Sequence, residues 1–458
     1  MTPARSPIDV SVPAVVLKFD PNVMHHGGLG VIRSLGRLGI PVHGLHEGPW
    51  APAANSRYLQ GRCYWRPDPG DVAGVAAGLL RLAERIGRPA VLIPTDDAGS
   101  IFLAEHGEQL RPSFLFPAPP AGLPRQVAGK HSLHELCQEL GVPSPPVALP
   151  ESLAAARDFA AQAGFPVIAK LTTPWAAGRR TLPSTSLLAD RGELDTAYET
   201  CARAGAGLML QDYIPPAAGD QDWFFHGYCD ASSRCRPAFT GVKERSYPAR
   251  AGLTSLGRAV ANDRLRDEVT AMLTRLGYRG ILDLDLRLDP RDGQYKLLDF
   301  NPRLGAQFRV FRDTAGTDVA LAQYLDLTGG TIPAAEQLSG RGFLVENYDP
   351  ISALTHWRHG ELGPRSWLAS LRGVQEAAWF APDDLRPFGL MCARMSWRLA
   401  SRPLARAGER PPRGGFRYAA GRAAGNRRSG RAIHKPLVTE DLTKRPATPQ
   451  APKEGTRA

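Results

Sequence analysis

The sequence lacks the segments by which secreted, membrane-spanning and cysteine-stabilised proteins are recognised. Its 458 residues include six cysteines, none of them in a Cys-x-x-Cys pair. A zinc site or a disulfide framework is therefore not expected, and reduced thiols are the default. The N-terminus shows no apolar signal core, and no apolar run approaches the length of about 18 residues that a membrane span needs. We therefore expect a cytoplasmic protein.

An excess of charge of one sign is also absent from most of the chain. The net charge is +11, from 56 Lys and Arg against 45 Asp and Glu. The segment from Ser401 onwards has 14 Lys and Arg and four Asp and Glu, which leaves a net charge of only +1 for the preceding residues. Because the basic excess belongs to the tail, we expect no specific nucleic-acid binding by the folded part.

What the sequence does contain is an acidic hairpin near residue 290. Residues 281–288 alternate apolar and polar, as in a strand with one buried face. Asp292-Gly293 is a strong turn signal, and Tyr295–Phe300 has the composition of the returning strand. The pattern therefore predicts two antiparallel strands joined by a tight turn.

The polar side chains of this hairpin predict a metal site. Side chains two residues apart share a face of a strand, so the hairpin can bring Asp285, Asp299 and Asn301 together. Carboxylate and amide oxygens suit Mg²⁺, and substrate phosphates can complete its octahedron. Arg303 follows closely and can place a guanidinium beside the same phosphates. For any one of these carboxylates, simple solvation is the alternative.

The hairpin resembles the metal-binding signature of the ATP-grasp superfamily, an acidic residue on one strand followed by Glu-x-Asn-x-Arg on the next. Asp285, Asn301 and Arg303 match that signature, whereas Asp299 stands where the family usually has Glu and is shorter by one methylene. The resemblance covers roughly residues 12–330. It implies ATP and Mg²⁺, with Mn²⁺ as a substitute, as the cofactors, and a catalytic role for Arg303.

The N-terminal part shows a β-loop-α-β pattern. Val12–Phe19 and Ile40–Leu45 are predicted strands, and glycines open the helix between them, where backbone amides can bind an anion. We assign Gly28 to substrate binding, with a purely structural turn as the alternative. The glycines do not complete a Gly-x-Gly-x-x-Gly dinucleotide fingerprint, so an NAD(P)-dependent oxidoreductase is a poorer reading. Asp97 follows a predicted strand and is a candidate substrate contact; its alternative role is a helix N-cap.

Two lysines follow in the order that the superfamily shows. Lys130 opens a helix predicted to run to about Leu140, and Lys170 ends a buried strand. In ATP-grasp proteins one lysine starts the central domain and another ends a strand before a mobile phosphate loop, so the resemblance implies that both approach the ATP phosphates. The loop maps to about residues 173–182, where Arg179 is the predicted ATP contact.

The adenine hinge of the superfamily resembles the segment Gln211, Asp212, Tyr213 and Ile214, whose backbone would hydrogen-bond the purine edge. Gln211 replaces the more usual Glu. We assign Asp222 to the ribose hydroxyls, with Asp220 as the alternative.

Four basic residues complete the candidate site. Lys243 and Arg245 lie in a basic segment bounded by glycines and are predicted to act on the γ-phosphate or an anionic substrate, unless the segment is a surface loop. Arg309 and Arg312 follow the Asn-Pro-Arg turn and are predicted to bind a substrate carboxylate bidentately; otherwise they flank an ordinary helix start.

We predict an α/β fold of the ATP-grasp type, α+β in its central part. Residues 1–120 form an N-terminal Rossmann-like domain, and residues 121–330 form the ATP-grasp domain, divided at about residue 210 into a lid subdomain and a C-terminal catalytic subdomain. Residues 331–405 form an appendage, and residues 406–458 form a basic disordered tail.

The appendage includes a predicted basic amphipathic helix within Leu385–Arg406, where arginines recur every four residues. Such a helix can lie on an anionic membrane surface, which would place the protein peripherally at the inner face of the membrane. A solvated helix face is the alternative.

The order of the motifs is similar to that of the ATP-grasp carboxylate–amine ligases, including the D-aspartate ligase group. The resemblance implies that a substrate carboxylate attacks the γ-phosphate of ATP and that an amine then displaces phosphate from the acyl phosphate. It also implies a homodimer. One alternative is carbamoyl-phosphate-synthase-like or carboxylase-like use of bicarbonate, although the biotinyl motif Ala-Met-Lys-Met is absent. Another is a non-catalytic ATP-binding regulatory protein docked at a membrane.

Overall fold

A computed structural model describes residues 8–172, 185–215, 222–248, 252–401 and 417–420 of the chain. The N-terminal part is a mainly parallel sheet with helices on its faces. Its elements are β1 (Ala14–Leu17), α1 (Gly27–Gly36), β2 (Val42–His46), β3 (Leu59–Tyr64), α2 (Val72–Ile86), β4 (Ala90–Pro94), α3 (Asp97–His106) and β5 (Phe114–Leu115). The strands lie in the order β3-β2-β1-β4-β5 with parallel neighbours. This confirms the predicted β-loop-α-β unit.

The next part is a small antiparallel sheet packed on two helices. Its elements are α4 (Leu123–Ala128), α5 (Lys130–Leu140), β6 (Val147–Ala148), α6 (Leu153–Ala163), β7 (Val167–Leu171), β8 (Thr185–Leu188), α7 (Arg191–Arg203) and β9 (Leu208–Asp212). The strand order is β6-β9-β7-β8. α5 begins and ends where the sequence predicts, because Gly141 adopts the left-handed conformation (φ 62°) that ends helices. The Ser152 hydroxyl caps α6 by accepting a hydrogen bond from the Ala155 amide.

The largest sheet carries the acidic hairpin. Its elements are β10 (Asp222–Cys229), β11 (Cys235–Tyr247), β12 (Leu253–Ala259), α8 (Asp263–Leu276), β13 (Gly280–Asp289), β14 (Gln294–Asn301), α9 (Val319–Leu327), β15 (Gly342–Leu344), α10 (Asp349–Arg358), α11 (Pro364–Ser370), β16 (Val374–Ala377) and α12 (Arg386–Ser401). The strand order is β14-β13-β10-β11-β12-β15-β16. The predicted hairpin corresponds to β13 and β14, which pair antiparallel around the Asp292-Gly293 turn.

The predicted appendage differs from expectation, because its first part completes the large sheet. β15 pairs antiparallel with β12, and β16 pairs parallel with β15. Beyond β16, Asp384 forms a buried ion pair at 3.0 Å with Arg33 on α1, and the Arg33 guanidinium also donates to the Trp379 carbonyl at 2.7 Å. These residues therefore join the N-terminal sheet to the catalytic sheet.

One continuous hydrophobic core supports that junction. Val16 and Leu29 from the N-terminal sheet and α1 pack in the same buried cluster as Phe224, Phe311 and Trp379. A helix corresponding to the predicted amphipathic one is present as α12, whose Met391 is buried. Of the tail that we expect to be disordered, the structure describes Arg417–Ala420, an antiparallel strand (β17) beside β3. Among the described residues, no helix combines the length and the apolar character that crossing a bilayer requires.

Candidate functional site

The antiparallel register of β13 and β14 places the predicted metal ligands side by side. Asp285 lies directly opposite Asp299, and Asp283 lies directly opposite Asn301. The side chains of Asp285 and Asp299 are about a quarter exposed, 28% and 26%. Two carboxylates therefore face one cleft from neighbouring strands, as the hairpin pattern predicts.

Two lysines from other elements converge on Asp299. Nζ of Lys130, the first residue of α5, lies 2.6 Å from Asp299 Oδ1, and Nζ of Lys170, on β7, lies 3.2 Å from the same oxygen. Lys170 also donates to the Leu298 carbonyl at 3.1 Å. Burial alone would raise the pKa of Asp299, but the two ammonium groups hold it well below its usual range. The structure thus brings together three residues that are up to 169 positions apart in sequence.

The second carboxylate has its own lysine. Lys243 Nζ lies 3.3 Å from Asp285 Oδ1. Burial raises the pKa of Asp285; Lys243 opposes that rise, whereas the charges of Asp283 and Asp299 add to it. This concentration of negative charge favours the binding of a cation beside Asp285.

These charged groups line a cleft together with the predicted hinge. The cleft has an empty volume of about 730 Å³, including space open to solvent, and its lining contains Lys170, Lys243, Asp285 and Asp299 beside residues 211–214. Such a volume suits a small-molecule ligand, for which pockets of about 300–1,000 Å³ are usual. The hinge and the charged cluster, which the sequence could only place in order, therefore belong to one site.

The hinge is held by two arginines that the sequence analysis missed. Arg287 on β13 donates to the Ile214 carbonyl at 2.9 Å and to Asp222 Oδ1 at 2.6 Å. Arg291 pairs with Asp212 Oδ2 at 2.7 Å. Asp222 therefore lies at the cleft, but its carboxylate already has an arginine partner. The signal for Arg287 was its position two residues after Asp285 on the same strand.

The residues present fit a divalent cation by their chemistry. In the described part of the chain no group of three or more His, Cys, Asp and Glu is arranged to hold a metal. The predicted set is different, two carboxylates and one amide. The Asn301 amide nitrogen donates to the Asp283 carbonyl at 3.2 Å, which directs the amide oxygen to other partners. Asp285, Asp299 and Asn301 thus offer the hard oxygen donors that Mg²⁺ prefers when phosphates supply further ligands.

Arg303 lies at the boundary between this cluster and the N-terminal sheet. Its Nη1 donates to Asp283 Oδ2 at 2.8 Å, and its Nε lies 3.4 Å from Asp97 Oδ1. Asp97 is not the N-cap of α3, since Asp96 performs that role by accepting from the Gly99 amide at 2.8 Å. The prediction that Asp97 faces the site is therefore consistent with its position.

Two predicted site arginines are committed elsewhere. Arg245 is buried and pairs bidentately with Asp349 at 2.8 and 3.0 Å. Arg309 is also buried, pairs with Glu376, and burial lowers its pKa to about 10. Both guanidiniums stabilise the packing of the C-terminal elements on the large sheet, so their predicted catalytic and substrate-binding roles are not supported by their positions.

The remaining predicted residues have varied positions. Gly28 lies in the first turn of α1, where an added Cβ would lie 3.2 Å from Val16, so its place is explained by close packing on β1. Arg312 is half-buried, and its guanidinium makes no hydrogen bond or ion pair with the described residues that bears on the cleft. Arg179 lies outside the described residues.

Comparisons with known proteins agree with this arrangement. No protein-family model matches the chain. The D-aspartate ligase of Enterococcus faecium (strain Aus0004) is 26% identical over 247 residues, which are 50% of this chain and 57% of that protein. The match therefore spans little more than half of that ligase.

Two solved structures have a similar fold. N5-carboxyaminoimidazole synthetase from Staphylococcus aureus matches with a TM-score of 0.53 and 10% identity over 72% of this chain and 81% of that one. The biotin carboxylase domain of Hydrogenobacter thermophilus 2-oxoglutarate carboxylase, solved with MgADP and bicarbonate, matches with a TM-score of 0.50 and 18% identity over 70% and 71% of the two chains. The predicted ATP-grasp fold is confirmed.

Proposed function

We propose that this protein is an ATP- and Mg²⁺-dependent ligase that activates a substrate carboxylate as an acyl phosphate and joins it to an amine. The observation that carries the proposal is the cleft in which Lys130 and Lys170 converge on Asp299 and Lys243 pairs with Asp285, beside the predicted hinge. The similarity to a D-aspartate ligase supports the same reaction class and makes an amino acid the first carboxylate to test.

The arrangement suits the physical difficulty of this reaction. A carboxylate must approach a triphosphate, and both are anionic. Lys130, Lys170 and Lys243 supply three ammonium groups in a partly desolvated cleft, where each charge is worth more than in water. Bound Mg²⁺, held by Asp285, Asp299 and Asn301, would neutralise phosphate charge.

The lysines have alternative partners before ATP binds. Each pairs with a carboxylate at 2.6 to 3.3 Å, so none is an isolated buried charge. When a cation takes the two carboxylates, the ammonium groups become available to phosphate oxygens. Holding the carboxylate in line with the γ-phosphate then supplies the rest of the effect, and no side chain is required as a covalent nucleophile.

The hinge assigns the other end of ATP. We infer that the backbone of residues 211–214 binds the purine edge, and that Asp222, already in contact with Arg287, lies near the ribose. Arg179 in the lid, a homodimer and contact of the basic C-terminal part with an anionic membrane stay predictions.

The test is Mg²⁺-dependent ADP release by the purified protein with pools of amino acids, small carboxylates and amines, starting from D-aspartate. Turnover that appears with one carboxylate and amine pair and is lost in Asp299→Ala would support the ligase. Turnover with bicarbonate alone would favour the carboxylase-like alternative. Tight ATP binding with no turnover in any pool would favour the regulatory alternative, and failure to bind ATP would overturn the proposal.

A further inference from the structure

The guanidinium of Arg303 lies between two carboxylates that hold it very differently. Its Nη1 donates to Asp283 Oδ2 at 2.8 Å, a normal charge-assisted hydrogen bond. Its Nε is 3.4 Å from Asp97 Oδ1, and that contact does not have the geometry of a hydrogen bond, because Asp97 Oδ1 is buried without a hydrogen-bond partner among the described residues. One edge of Arg303 is thus satisfied and the other is not.

The side of Arg303 that faces Asp283 is closed. His226 is fully buried on β10, directly opposite Asp283 in the strand register, and its Nε2 lies 3.0 Å from Asp283 Oδ1. An added Cβ at Gly305 would lie 2.3 Å from His226 Cε1 and 2.6 Å from Asp283 Cγ. Because not even a methyl group fits there, Asp283 and His226 act as a fixed support for Arg303.

The side that faces Asp97 is open. The Asp97 side chain is 36% exposed and comes from the N-terminal sheet, whereas Arg303 follows β14. Since Asp96 caps α3, folding does not require Asp97 for that purpose. Nearby His25 has a buried Nδ1 that also lacks a hydrogen-bond partner in the described part of the chain. Buried polar groups without partners are uncommon, and a ligand is one explanation for them.

The opposite charges of Asp97 and Arg303 lie side by side and match a ligand that carries both charges on neighbouring groups. A carboxylate on the Nε edge of Arg303 would form the hydrogen bond that Asp97 does not form. An ammonium group one carbon away would then replace Arg303 as the cationic partner of Asp97. A carboxylate without the ammonium group would leave Asp97 with no cation, at a cost in affinity.

We propose that Asp97 is the ammonium acceptor of this site and that the carboxylate substrate is an α-amino acid, bound through its carboxylate to Arg303. This inference rests on the proposed ligase function and specifies its substrate class. Asp283 and His226 are positioning residues that hold Arg303 without touching the substrate.

The experiment compares an amino acid with its deamino analogue in three proteins, wild type, Asp97→Asn and Asp283→Asn. D-aspartate and succinate are the first pair, followed by the other common amino acids and their deamino analogues. Binding is measured by calorimetry with Mg²⁺ and a non-hydrolysable ATP analogue, and turnover is measured by ADP release. Asp97→Asn is close to isosteric, and a thermal melt verifies that each variant is folded.

We expect Asp97→Asn to weaken binding of the amino acid by about 10- to 100-fold, the range for a hydrogen bond to a charged group, and to change the analogue by less than about threefold. Asp283→Asn is the matched control. It removes a carboxylate from the closed side of the same arginine, so it should weaken both ligands alike.

Other outcomes overturn the inference. One is an unchanged preference for the amino acid in Asp97→Asn. A second is an effect of Asp97→Asn on the KM of the amine alone, which would assign Asp97 to the acceptor. A third is turnover by wild type only with carboxylates that have no ammonium group, which would leave the ligase function intact. If no pool gives turnover, the ligase function fails separately, and calorimetry still decides whether an amino acid binds through Asp97.

Discussion

Replacing Lys170 by Met should separate the stability of this protein from its activity. Lys170 is 5% exposed, and its Nζ shares Asp299 Oδ1 with Lys130. Burial lowers the pKa of Lys170; the charge of Asp299 opposes the shift, and Lys130 adds to it. The folded state therefore disfavours the charged form of this lysine relative to the unfolded chain.

The magnitudes follow from that geometry. Met has a similar length and no charge, and Asp299 keeps Lys130 at 2.6 Å, so the free energy of unfolding should change by less than about 1.5 kcal/mol. Activity should respond far more. Two unit charges about 4 Å apart at an effective dielectric constant near 20 interact by about 4 kcal/mol. Losing one such contact to a phosphate corresponds to a fall of roughly 10²- to 10³-fold in kcat/KM for ATP.

The assay combines urea denaturation with ADP release under the conditions that support turnover. Lys296→Met is the matched control, because Lys296 lies on the same hairpin but pairs with Asp292 at its turn, and it should keep wild-type activity. A Lys170→Met protein that retains activity within tenfold of wild type would refute the role of Lys170 at the phosphates. A loss of more than about 3 kcal/mol in stability would refute the reasoning about its burial.

Three other outcomes can be measured. Asp384→Ala should lower the free energy of unfolding by about 3–5 kcal/mol, because it leaves the fully buried Arg33 without its partner at 3.0 Å; a loss below about 1 kcal/mol in urea titrations would contradict this account. Burial, with the charges of Lys18 and Arg62, lowers the pKa of His46 to about 3, so the unfolded chain, with a pKa near about 6.5, binds the proton more readily, and stability present above that pH is lost as the pH falls toward about 3. His46→Gln should therefore flatten the decline of Tm between about pH 6.5 and 4, and a decline parallel to that of wild type would exclude this histidine as its source. Arg287→Met should raise the KM for ATP about tenfold through loss of its hydrogen bonds to the hinge; an unchanged KM would show that the hinge does not need this support.

The hairpin is predictable from the sequence because its signals act over short distances. Alternation of side chains and the Asp-Gly turn fix which residues share a face, and the structure places Asp285 opposite Asp299 as that logic requires. The same is true of the start of α5 at Lys130 and of the βαβ unit at the N-terminus. Local propensity and hydrophobic periodicity suffice for such elements.

The prediction for Arg245 fails for a physical reason that the sequence does not reveal. Side chains two residues apart share a face of a regular strand, so Lys243 and Arg245 are expected to point the same way. The pairing of β11 with β12 is irregular between them, and such irregularities redirect side chains. Lys243 consequently lies beside Asp285, whereas Arg245 pairs with Asp349.

The support behind Arg303 depends on register between distant strands. His226 and Asp283 are direct partners across β10 and β13, yet 57 positions separate them in the sequence. A lone histidine in the apolar strand Asp222–Cys229 gives no sign of its partner. Likewise, nothing local indicates that Asp384 reaches α1 and joins the C-terminal elements to the N-terminal sheet.

The sequence by itself determined the class of chemistry, since the order of lysines, hinge and acidic hairpin already indicated an ATP-dependent ligase fold. The tertiary structure decided which charges meet. It gave Lys130 and Lys170 to Asp299 and Arg245 and Arg309 to buried ion pairs, and it left Asp97 beside Arg303 without a hydrogen bond. Local sequence fixes the face on which a side chain lies, whereas its partner is set by strand register and domain packing, which depend on the burial of the whole core.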